Sequence, residues 1–161
     1  MKIFKIFLLT VMMVIALKEA VLAADVGTQV MTFTFQPINE IMVSEEPSLA
    51  ISSSAIVGQE PSPVTDSSAI YAISTNATNK KITAHLDTAL PSYLTLTVNA
   101  AAPSDSGTSL GDVNLSTSTS ALVTGVGTEA VSSLTITYTL SATVQANVVA
   151  TGIPVIFTLA D

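Results

Sequence analysis

Cysteine, tryptophan and arginine are missing from the 161 residues, histidine occurs once and lysine five times. Without cysteine there is no disulfide, no thiolate metal site and no thiol nucleophile. Stability must then come from a packed core and main-chain ladders. With no arginine and few lysines the chain has little basic face to lay against phosphates, so nucleic acid is excluded as a partner, and anionic lipid and anionic substrates are poor ones. No phosphate-cradling glycine loop and no dinucleotide fingerprint is present, and no cofactor is expected.

What is present begins with a leader. Met1-Lys2-Ile3-Phe4-Lys5 is a short basic start, residues 6–17 are apolar apart from Thr10, and Val21-Leu22-Ala23 precedes a cut. This reads as a secretory signal peptide over residues 1–23, too short in its apolar part to span a bilayer. Cleavage fits after Ala23 or after Ala24. The expected location is outside the cell. Removing the leader takes Lys2, Lys5, Lys18 and Glu19 with it. Lys80 and Lys81 then face eleven acids, nine negative charges in excess. About 137 residues remain, enough for one domain that buries roughly two-thirds of its surface without a covalent staple.

Period-two alternation dominates the rest. Leu134, Ile136, Tyr138, Leu140, Ala142 and Val144 share one face, while Thr135, Thr137, Thr139, Ser141 and Thr143 share the other. Strict alternation rich in β-branched residues is a strand with one dry side and one wet side. The same reading holds for Ile82, Ala84 and Leu86, for Leu94, Leu96 and Val98, and for Ile153, Val155, Phe157 and Leu159. Shorter candidates cover residues 48–52, 69–75 and 112–117. Turn formers separate them at residues 76–79, 103–107 and 125–127, and residues 58–63 form a proline-bearing loop. About eight strands with no convincing helical segment predict an all-β, two-sheet antiparallel sandwich.

Residues 25–36 stand apart. Met31, Phe33 and Phe35 line one face of an alternating stretch that ends at Pro37, with Thr32, Thr34 and Gln36 on the other. N-terminal segments are usually polar and frayed. Burying these three side chains is worth roughly 5–9 kcal/mol at about 1.5–3 kcal/mol each, so something must receive them. Two recipients fit. Residues 29–36 form the first strand of the chain's own sandwich, or they leave it and complete a neighbour's sheet by strand addition. Joined head to tail, such a contact does not close and generates a filament.

Three stretches carry a family resemblance. Phe33-Thr34-Phe35-Gln36-Pro37-Ile38-Asn39-Glu40-Ile41, then Ser74 to Ile82 running on to His85-Leu86-Asp87, then Val113-Asn114-Leu115-Ser116-Thr117, resemble landmarks of alpha-class chaperone–usher pilins. These are the major fimbrial subunits of colonisation-factor type, also without cysteine. The resemblance implies an immunoglobulin-like sandwich over residues 37–161, completed by a donor strand from a neighbouring subunit. It also implies a donor segment over residues 24–36. Met31, Phe33 and Phe35 then match the inserted side chains, and Val155, Phe157 and Leu159 the strand that pairs with chaperone and donor. The implied partners are identical subunits in a head-to-tail homopolymer, a periplasmic chaperone and an outer-membrane usher, with a host or surface receptor left open. The chain departs from the family in its bulky Phe33 and Phe35, in Gln29 and Gly27 at the next inward positions, and in lacking a penultimate aromatic.

Candidates for chemistry are few. His85 and Asp87 lie side by side on one strand, roughly 7 Å apart at ~3.3 Å per residue, rather than one behind the other as a catalytic triad requires. Glu45 and Glu46 are adjacent and point opposite ways in an extended chain. Asp105 and Asp112 flank a Gly/Ser loop without calcium-ligand spacing. Asn76-Ala77-Thr78 and Asn114-Leu115-Ser116 fit a glycosylation sequon. Lys80-Lys81 read as a solubilising hairpin shoulder or as half of an inter-subunit ion pair. No enzyme is expected. The predicted role is a structural subunit of an extracellular fimbria supporting adhesion; the alternative is a self-complete, monomeric, secreted β-sandwich that binds a carbohydrate or protein at the cell surface.

Overall fold

The computed structural model describes residues 27–52, 56–147 and 151–161. The leader assigned to residues 1–23, and its cleavage site, lie outside them. The chain divides into two units, Met1–Phe35 and Gln36–Asp161. Of the first, residues 27–35 are described; they carry no strand and are exposed throughout. Alternation alone does not make a strand, because a ladder needs a partner for every N–H and C=O it offers.

The second unit is all-β, with no helix among its described residues. Its strands in chain order are β1 (Asn39–Ser44), β2 (Val64–Asp66), β3 (Ile70–Thr75), β4 (Lys80–Leu86), β5 (Leu94–Ala100), β6 (Thr108–Ser109), β7 (Val113–Asn114), β8 (Ser120–Val126), β9 (Glu129–Ala142) and β10 (Val155–Ala160). One sheet runs β1-β3-β9-β5-β7, with β2 also pairing to β9; the other runs β10-β4-β8-β6. Every pairing is antiparallel. The two sheets pack face to face as a sandwich compatible with an immunoglobulin-like fold. The expected fold class is the one observed. Among the described residues the first strand is β1, and residues 29–36 form none.

The core follows from the alternation. Tyr71 and Ile73 of β3, Val98 of β5, and Ile136 and Tyr138 of β9 face Ile82, Ala84 and Leu86 of β4 and Leu122 and Val123 of β8, all buried. Each fully buried aliphatic side chain contributes about 1.5–3 kcal/mol. The outer face of the first sheet is hydroxylated. Thr65 and Thr139 are bonded at 3.1 Å, Ser67 and Thr137 at 3.0 Å, and Thr97 donates to Asn114 at 2.8 Å.

Bulges account for where the alternation misled. Tyr71 pairs with Leu134 but Ile73 with Val131, so β9 holds one residue more than β3 between these rungs. Ser133 takes up the excess at φ +62°. Val131 and Leu134 thus both face inward at a spacing of three, and the period-two signal starts only after the bulge. The strand itself starts at Glu129 and ends at Ala142 rather than Val144. β8 was missed for the same reason. Its register against β4 slips twice, and Gly125 sits at the first slip with φ +70°. Gly125 and Val126 therefore belong to the strand and not to the turn.

Two short candidates also differ. Residues 48–52 form no strand. The candidate at 112–117 shrinks to β7 because the chain changes sheets there. Leu115 N–H donates to Leu96 C=O of β5 at 2.9 Å, while Ser116 C=O accepts from Leu86 N–H of β4 at 2.8 Å.

Candidate functional site

β10 is an edge strand. It pairs with β4 through Val155↔Leu86, Phe157↔Ala84 and Leu159↔Ile82, and among the described residues no strand pairs with its other side. Leu86, Ala84 and Ile82 are fully buried, whereas Val155, Phe157 and Leu159, on the same face one strand further out, are only half-buried. The core is dry over β4 and thins out at β10.

β1 is the corresponding edge of the other sheet. Its Ile41 and Val43 pair with buried Ile73 and Tyr71 and are themselves half-buried. β1 and β10 approach each other at one flank of the sandwich but are not hydrogen-bonded together. Ile41, Val43, Val155, Phe157 and Leu159 therefore form an incompletely covered apolar row between two open main-chain edges. Such edges are templates for another strand.

One end of this flank is electrostatically fixed. Lys80, buried at 8 % exposure, pairs through Nζ with the Asp161 carboxylate just beyond β10. Lys81 Nζ donates to the Asp161 main-chain oxygen at 3.0 Å. The Lys80 hydrogen bond and charge hold the Asp161 carboxyl below its ordinary value. The inter-subunit partner considered for these lysines is replaced here by a partner within the chain.

The same end is braced by Asn76, in the turn that joins β3 to β4. Its Oδ1 accepts from Ile38 N–H at 2.9 Å, its Nδ2 donates to Gln36 C=O at 3.0 Å, and its main-chain N–H donates to Ile38 C=O at 3.2 Å. Nearby, Thr75 Oγ1 donates to Asn39 Oδ1 at 2.8 Å and accepts from Ala77 N–H at 3.1 Å. As a sequon, Asn76 would have to surrender Nδ2, which is already engaged.

Met31, Phe33 and Phe35 belong to the first unit and are 67 %, 83 % and 77 % exposed. Sequence reasoning identified Val155, Phe157 and Leu159 but missed Ile41 and Val43, because Ile41-Met42-Val43 is an unbroken apolar triplet without alternation. Compared with protein-family models, curated proteins and solved structures, the chain matches none.

The groups considered for chemistry stand apart. His85 lies in β4 opposite Ile156, half-buried, and Asp87 is exposed just past the strand end, its N–H donating to Pro154 C=O at 3.0 Å. Asp112 accepts from Asn99 Nδ2 at 2.9 Å and Asp105 from Ser104 Oγ at 3.2 Å. Among the described residues no three acidic or imidazole side chains are grouped to hold a metal.

Proposed function

We propose that this chain is a structural subunit of an extracellular fimbria that polymerises by donor-strand exchange. The observation that carries the reading is β10, an edge strand with an unpaired outer side among the described residues and three half-buried apolar side chains facing inward. A strand laid along it would supply main-chain bonds, and alternate side chains would fill the uncovered row. Residues 24–36 have the matching chemistry: an alternating segment with Met31, Phe33 and Phe35 on one face. The lender is another copy, so the contact is heterologous and extends head to tail. The resemblance to alpha-class pilins supports the same reading. It adds a periplasmic chaperone that covers the edge before assembly, an outer-membrane usher, and a surface receptor for adhesion. The role is structural and requires no catalysis.

The test removes residues 25–36 from the mature chain. The truncated chain should stay monomeric and take up a synthetic peptide of residues 27–36, while the intact chain forms filaments visible by electron microscopy. A truncated chain that ignores the peptide, beside an intact chain that stays monomeric, would instead fit the self-contained sandwich that binds a carbohydrate or protein. Phe33→Asp combined with Phe35→Asp should abolish filaments from that chain alone.

A further inference from the structure

We infer that Asn76 is the residue that aims the N-terminal segment, by fixing the main chain at Gln36–Ile38 where that segment leaves the sandwich; the inference rests on the filament reading above.

The argument starts from proline. The β1–β3 ladder ends at Asn39↔Thr75, and the next positions outward are Ile38 opposite Asn76 and Pro37 opposite Ala77. Pro37 has no N–H to donate, and β3 turns away here toward Asn79 at φ +60°. An ordinary ladder would fray at this point. The Asn76 side chain supplies what the departing strand no longer does. Its carbonyl oxygen accepts from Ile38 N–H and its amide nitrogen donates to Gln36 C=O, one bond on each side of Pro37. Only this orientation of the amide satisfies both neighbours, since one is a donor and the other an acceptor.

With the main-chain bond from Asn76 N–H to Ile38 C=O, three bonds hold three residues. Rotation is reduced at Gln36–Ile38, the root of the peptide, before it meets a partner. Preorganisation of this kind lowers the entropy lost on docking. Asn76 thus acts on donation and not on acceptance, because the β10 edge lies outside its bonds.

Aspartate is the sharpest probe. In Asn76→Asp a carboxylate can still accept from Ile38 N–H, but it faces the Gln36 carbonyl with no proton to offer. Asn76→Ala removes both side-chain bonds. Each full-length variant is assayed for uptake of the 27–36 peptide as acceptor. Each is also mixed with the Phe33→Asp/Phe35→Asp chain, which can accept but not lend, to time pair formation as donor. Peptide uptake should match the unmodified chain, pair formation should slow by about tenfold, and hydrogen exchange at Ile38 should rise. Pair formation at the unmodified rate in both variants overturns the inference. So does parallel loss of peptide uptake, which would make Asn76 an ordinary fold residue. If the unmodified chain also fails to pair with the acceptor-only chain, the filament reading itself falls and takes this inference with it.

Discussion

Individual side chains divide into those that seal the core and those that tether its ends. Tyr71 does both: its ring is buried and its hydroxyl donates to Ala101 C=O. Burial pushes the phenols of Tyr71 and Tyr138 up to about 12. Folding therefore favours the neutral phenol, a contribution complete below about pH 10 and lost as pH rises through 12. An ultraviolet titration of the folded protein should show Tyr71 and Tyr138 ionising late, and Tyr71→Phe should cost about 1–2 kcal/mol in denaturant unfolding by leaving Ala101 C=O unpaired. On the acid side two carboxyls lie below their ordinary 3.8, Asp161 through the hydrogen bond and charge of Lys80 and Asp66 through its hydrogen bonds from Ser68. A depressed carboxylate stabilises above its unfolded value and stops doing so as pH falls through the folded one. Asp161→Asn should accordingly lose less stability than the unmodified chain between pH 7 and pH 3, read from urea midpoints at the two values. An equal drop in both would assign no role to the pair.

Among the elements, a ladder that keeps strict time is legible in sequence and one that slips is not. β4, β5, β10 and most of β9 could be read directly because their inward residues fall at every second position. β3 could be read for the same reason, from Tyr71, Ile73 and Thr75. β8 hid behind two slips against β4, and the first part of β9 behind Ser133. β2, β6 and β7, at two or three residues, are too short for any period to show. The candidate site was half legible: β10 announced Val155, Phe157 and Leu159, whereas Ile41 and Val43 carried no alternation and the bracing role of Asn76 depends on contacts about 40 positions away. The bulge yields its own prediction. Ser133 holds a left-handed conformation that costs an L-residue roughly 1–2 kcal/mol, so Ser133→Gly should raise stability by about 0.5–1 kcal/mol and Ser133→Val should lower it. If glycine lowers it, the bulge is not where the strain resides.

At the scale of the whole molecule, the proposed filament depends on each copy having one giving and one receiving end. The Phe33→Asp/Phe35→Asp chain keeps its β10 edge and loses its gift, so it should behave as a terminator. Mixed into unmodified subunits, it should shorten filaments progressively as its mole fraction rises, measured as a length distribution by electron microscopy. Unchanged lengths at high fractions would show that residues 24–36 do not carry the join.

The scarcity of cations, together with where the remaining two sit, has a bearing on durability. The chain has no arginine, and past residue 23 lysine occurs only as Lys80 and Lys81. Both bonds that a trypsin-like protease could cut lie in β4, clamped between Val126 on one side and Ala160 on the other. Such enzymes need about the length of an extended, unpaired peptide in their cleft. The folded protein should therefore withstand digestion that would divide its unfolded chain in two.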